Sequence, residues 1–157
     1  MKAKTRSIIE AVRSKLATVK AGPDYIHNIY KIEGGQRDFD TSELAQGVCV
    51  CVAFAGSNLE SKLSNGPQQV STLAIAVEAH KYKDPLQDIQ DEGLDLLADI
   101  EKALLGSTAY LTQKYVRHGG ILIESEDIGI SNDGSAIVAT SIITIPYIKQ
   151  YAQPHEE

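Results

Sequence analysis

Apolar positions along this chain follow two rhythms, one of about 3.6 residues and one of two, and the alternation between them divides it into elements. Residues 5–21 place Ile8, Ile9, Val12, Leu16 and Val19 on one stripe of a helix whose other face is basic. Ser7 and Glu10 have capping-box spacing, Thr5 is an equal candidate for the cap, and Gly22-Pro23 closes the helix. Residues 25–32 read as a strand with Ile26, Tyr30 and Ile32 on one side. A polar run from Gly34-Gly35 through Gln46 breaks it. Residues 47–55 (GVCVCVAFA) are apolar on both alternating faces, as in a central strand covered on both sides. Residues 56–69 scatter Gly56, Asn58, Asn65, Gly66 and Pro67 over a stretch too long for a tight turn and read as a mobile loop. The polar segment 33–46 is expected to be poorly ordered as well.

In residues 70–82, Leu73, Ile75, Val77 and Ala79 alternate with Thr72, Ala74, Ala76, Glu78 and His80, the pattern of a long strand. A second helix follows, with Asp84 as cap, Pro85 at its first position, Gln87 completing a box and Gly106 at its close. Its apolar stripe is Leu86, Ile89, Gly93, Leu94, Leu97, Ile100 and Leu104. Residues 115–125, bent at Gly119-Gly120, and 136–148 form a hairpin about Asn132-Asp133-Gly134. The expected fold is α+β, in the order α β β β α β β: a mostly antiparallel sheet of about five strands with two amphipathic helices packed on it. Residues 1–148 make one domain, and 149–157 make a polar C-terminal tail that frays. The expected core joins Ile8, Val12 and Leu16, Leu94, Leu97 and Ile100, and Val48, Val50 and Val52.

Composition narrows the function. Fifteen basic and 21 acidic residues give a formal charge of -6, the wrong sign for a domain that holds nucleic acid through its phosphates. No apolar run approaches the roughly 20 residues that span a bilayer, so neither specific nucleic-acid binding nor membrane binding is expected. Cys49 and Cys51, two residues apart on a strand, read as reduced core thiols of a cytoplasmic protein. With His27 and His80 they would be the ligands of a soft metal, but the apolar segment around them favours inert thiols. The four histidines read as surface or strand-edge residues. Asp88, Asp91, Asp95 and Asp99 form a carboxylate strip without the loop ligands of a cation site, and read as solvated or partner-facing. The two Gly-Gly pairs lack phosphate-cradling context. No catalytic, cofactor-binding or metal residue is assigned.

The charge layout says more. Residues 1–20 hold six basic side chains and one acid, whereas 84–101 hold seven acids and no base. The two helices are neighbours that attract, or independent solvated faces, or, if they lie on different edges, the two halves of a head-to-tail contact between subunits. In that last case Lys4, Arg13, Lys15 and Lys20 of one copy meet Asp88, Asp91 and Asp95 of the next.

An amphipathic first helix, strands interrupted by polar loops, the passage STLAIAVEAHKYKDPLQDIQDEGLDLLADIEKALL and a closing hairpin resemble bacteriophage tail terminator proteins. The likeness covers most of residues 5–148 as architecture and is residue-specific from Thr72 to Leu105. It implies a non-enzymatic virion protein: a subunit of a hexameric ring that caps the tail tube, ends its elongation and meets the head-side connector, assembled in the bacterial host cytoplasm and retained in the tail. Its partners would be further copies of itself, the tail tube protein and the connector protein, with no cofactor. Other neck or head-tail joining proteins share this size and geometry. The competing class is a small α+β ligand-binding domain or enzyme, which would need a pocket with convergent polar groups.

Overall fold

The computed structural model describes residues 2–62 and 68–150. Eight elements follow one another: α1 (Lys4–Leu16), β1 (Ile29–Gly34), α2 (Thr41–Gln46), β2 (Val48–Lys62), β3 (Gln68–Tyr82), α3 (Ile89–Leu105), β4 (Leu122–Ile130) and β5 (Ala136–Gln150). The strands form one sheet in the order β1-β2-β3-β5-β4. β1 lies parallel to β2 and every other pairing is antiparallel. The class is α+β, as expected, with one helix more than the sequence reading gave. The middle strand is β3, and the expected central strand, β2, lies one place nearer an edge.

α1 buries Ile8, Ile9, Val12 and Leu16, but it starts at Ala3 with no side-chain cap and stops at Leu16 instead of running to residue 21. Ser7 lies inside the helix, and Glu10 pairs with Lys2 at 2.7 Å and Arg6 at 2.9 Å instead of boxing the start. The Thr18 hydroxyl donates to the Lys15 carbonyl at 2.7 Å, turning the chain while Val19 stays buried. β1 starts later than residue 25. A register shift between Ile29 and Lys31 lets both Ile29 and Ile32 pack on the core, as expected for Ile32, and leaves Tyr30 more than half exposed; Ile26, ahead of the strand, is exposed too.

The stretch expected to be loose between residues 33 and 46 holds α2. The Asp40 carboxylate accepts from the Glu43 N–H at 2.8 Å and the Glu43 carboxylate from the Asp40 N–H at 3.2 Å, a complete capping box. The expected mobile loop of residues 56–69 is mostly strand. β2 continues to Lys62, paired with β3 from Gln69, with register shifts between Phe54 and Gly56 and between Leu59 and Ser61, while Asn58 stays paired with Thr72. Gly56, at φ +122°, sits in the first of these shifts. Residues 63–67 of that loop, and residues 151–157 of the expected tail, lie outside the described residues, and Lys149 and Gln150 belong to β5.

α3 begins four residues later than expected. Asp88 is the cap and accepts from the Asp91 N–H at 3.0 Å, while Asp84 accepts from the Leu86 N–H at 2.9 Å and closes a separate turn. Leu86 is therefore 95% exposed, and Leu94 is half exposed at the margin of the stripe. The buried face is Gly93, Leu96, Leu97, Ile100, Ala103 and Leu104. Gly93 allows close approach to β4, since a Cβ there would lie 2.5 Å from Ile128 Cγ2. β4 starts at Leu122, seven residues after the expected start, because Val116 forms only an isolated bridge to Tyr147. The turn before β5 is as read, with Gly134 at φ +76°.

α1 and α3 cover one face of the sheet, α1 over β1 and β2 and α3 over β4 and β5, meeting along the middle. Between them and the sheet lies the main core, with Val48, Val50, Val52, Leu73, Ile75, Val77, Ile143 and Ile145. α2 covers only one end of the opposite face, closing a small core of Phe39, Leu44, Cys49, Cys51 and Ala136.

Candidate functional site

The residues expected to form a subunit interface are largely engaged within their own chain. The Lys4 ammonium donates to the Ile148 carbonyl at 3.2 Å and lies 4.8 Å from the centre of the Tyr115 ring. Arg13 donates to the Val52 carbonyl at 3.3 Å and Lys20 to that of Ile29 at 2.9 Å. Lys15 is half-buried. On α3, Asp88 caps the helix, Asp91 is exposed and Asp95 half-buried. Asp99, read as the end of the carboxylate strip, is buried instead. The strip therefore ends at Asp95, and among the described residues no three His, Cys, Asp or Glu side chains converge as metal ligands.

Two of the histidines are buried, which corrects their reading as surface or edge residues. His27 sits at one end of the helix-covered face. The Asp99 carboxylate accepts from the Ile26 N–H at 3.0 Å and the His27 N–H at 2.8 Å, and lies 2.9 Å from His27 Nδ1. Lys81 Nζ is 3.1 Å from His27 Nε2 and forms an ion pair with Glu92. Asp99, His27, Lys81 and Glu92 are thus linked in one continuous chain of bonds. A cleft of about 350 Å³ lies beside it, walled by Ile26, Gly47, Lys81 and Tyr82 among others.

His80 lies on the opposite face, 1% exposed, paired in register with Cys49 and with its ring edge-on to Phe39 at 5.0 Å. Neither ring nitrogen has a hydrogen-bond partner, and Glu78 Oε1 stands 3.7 Å from Nε2. Burial lowers the imidazole pKa below its ordinary value, against the opposing pull of Glu78 and Asp38. His80 opens onto a cleft of about 250 Å³ lined by Asp38, Glu78, Asp127, Ser131, Asn132 and Thr140. The sheet builds this wall directly: Glu78 pairs with Thr140, Thr140 with Asp127, and His80 with Val138, all on the face that α2 leaves partly bare.

The cysteines are buried, as expected. Desolvation pushes Cys49 up to about 11 and raises Cys51, so neither is a nucleophile at neutral pH. The alternation of residues 70–82 already set His80 opposite the face of Leu73 and Val77, with Glu78 beside it. Its burial depended on Phe39 and α2, which the sequence reading missed. The partnership of His27 with Asp99 spans 72 positions and leaves no local signal.

Comparison of the sequence with protein-family models and with curated proteins gives no match.

Proposed function

We propose that the protein is a structural virion subunit, one copy in a homo-oligomeric ring that caps a phage tail tube, ends its elongation and joins it to the head-side connector. A hexamer and a place in the virion tail follow from the resemblance carried by residues 72–105, which fold as most of β3 and all of α3. The role requires no catalysis. Other neck or head-tail joining stations are served by the same kind of ring.

The observation that carries this reading is the uneven cover of the sheet. Both edge strands, β1 and β4, are free along one side, and α2 covers only one end of the second face. Apolar side chains lie open on both edge strands, with Tyr30 54%, Leu122 48% and Ile130 45% exposed, and on β2 beside them, where Phe54 is 59% exposed. Free edges and bare apolar positions are what a monomer avoids and an assembling subunit uses. A ring also needs two different surfaces per copy, one meeting the other on its neighbour. Light scattering coupled to size exclusion, followed by negative-stain microscopy, tests the reading. Rings of one copy number are expected, and a protein that stays monomeric at high micromolar concentration would overturn it.

A further inference from the structure

Among the described residues, the His80 imidazole is buried at the wall of a cleft with neither ring nitrogen hydrogen-bonded, the nearest carboxylate oxygen being that of Glu78 at 3.7 Å. Around it stand the carboxylates of Asp38, Glu78 and Asp127 and the side-chain oxygens of Ser131, Asn132 and Thr140. Three of these residues are carboxylates, which accept and do not donate when ionised. A neutral imidazole adds one more acceptor nitrogen, and a guanidinium supplies five N–H donors and no acceptor. Arginine also matches carboxylates with a planar fork, which a lysine ammonium lacks.

The same chain presents such a cation at its other end. Lys114 and Arg117 are exposed, and neither forms an ion pair among the described residues. Their segment is tied to the far end of β5, where the Arg117 N–H donates to the Pro146 carbonyl at 2.9 Å. The cleft lies against Val138 of the same strand. At about 3.4 Å per residue, the stretch of β5 from Val138 to Pro146 separates the two features by roughly 27 Å. An arginine of one copy therefore does not fill its own cleft, and donor and receiver lie on opposite ends of one rigid strand.

We propose that the His80 cleft receives the Arg117 guanidinium of a second copy of this chain, with Lys114 of that copy at the acidic rim. Each copy then gives one arginine and offers one cleft, which is a head-to-tail contact that closes into a ring when the rotation between copies permits. This deepens the ring reading and rests on it. It replaces the expected pairing of the α1 and α3 faces, whose cations are mostly held by their own backbone.

Sedimentation velocity on the wild type, Arg117→Glu, Asp127→Arg and an equal mixture of the two variants tests it. Both sites are exposed, and circular dichroism checks that each variant keeps the fold. Each variant alone is expected to assemble at least about tenfold more weakly, the size of effect that follows loss of one member of a close charge pair. The mixture is expected to assemble more strongly than either variant alone, since the Arg117→Glu chain keeps an intact cleft, the Asp127→Arg chain keeps an intact arginine, and the two reversed charges are opposite in sign where they meet. A mixture no better than its components would overturn the contact. In parallel, the His80 ring-nitrogen NMR signals are expected to move with concentration in the wild type and to stay fixed in Arg117→Glu. If the wild type forms rings and both variants form them equally well, the arginine contact is wrong and the ring stands. If the wild type never associates, the ring and the contact fall together.

Discussion

The two buried histidines sit on opposite faces of one sheet, and their surroundings differ in kind. His27 lies at the end of the face that α1 and α3 seal, where it is bonded into a chain with Asp99, Lys81 and Glu92. His80 lies on the face that α2 seals at one end only, packed against Phe39 with both nitrogens unbonded. A bonded network of this kind fixes Ile26 and His27 to α3 through Asp99. An incomplete one costs stability in the isolated chain, a cost that the proposed contact with a second copy would offset.

The largest effect that separates the two is expected at Asp99. Asp99→Ala strips the acceptor from two backbone N–H groups and the His27 ring, and is expected to cost about 3–5 kcal/mol. Asp127→Asn, on the His80 cleft, is expected to leave the urea midpoint of the monomeric chain nearly unchanged. Equal losses from both would erase the distinction. Next in size is Gly93→Ala on the sealed face, where the new methyl must displace the Ile128 side chain. Overpacking costs roughly 1–3 kcal/mol, partly offset by the gain of about 1 kcal/mol in helix propensity. A variant more stable than wild type would mean that β4 yields easily and that this face is less tightly packed than described.

The third test follows the proton. Burial holds the folded His80 imidazole below its ordinary value of 6.5, so the unfolded chain binds the proton first as pH falls. The associated stability is complete above about pH 6.5 and is lost as pH drops toward the lower folded value. Glu78 and Asp38 oppose the shift, and Arg37 adds to it. Comparing unfolding midpoints at pH 7.5 and 5.5, the acid-side loss is expected to shrink in His80→Leu. An unaltered slope would assign the loss to other groups. The smallest signal is chemical: with Cys49 pushed up to about 11, a disulfide reagent at pH 8 is expected to label it only in unfolded or transiently opened chains. Rapid labelling of the native protein would show that α2 does not seal its end of the face.

The strands with clean alternation were legible, and so was the hairpin around Asn132-Asp133-Gly134, because each signal is local. Leu73, Ile75, Val77 and Ala79 all point into the main core as their spacing required. The errors share a cause. Gly56 carries turn chemistry that the structure spends on a register shift within a paired strand, in which Asn58 is simply paired with Thr72, and Asp84 resembles a helix cap four residues before the residue that serves as one. α2 is six residues long, too short for a periodic stripe, although its Asp40 and Glu43 box was present in the sequence. The His80 cleft draws on residues from 38 to 140, so its elements were visible singly and its assembly was not.

The pairing of β3 with β5 also sets the order in which the molecule is built. These strands match residue for residue from Gln68 with Gln150 to Tyr82 with Ala136, with α3 and β4 in the intervening chain. The β2–β3 and β4–β5 hairpins close from neighbouring sequence, but the seam between them must bring together distant parts of the chain and bear the loop-closure entropy before its contacts repay it. Folding is thus expected to be limited by the docking of two preformed hairpins, on the millisecond-to-second scale of non-local sheets. During synthesis the first hairpin emerges with its β5-facing edge bare until the last strand is made, which is the interval in which it is most exposed to pairing with the wrong chain.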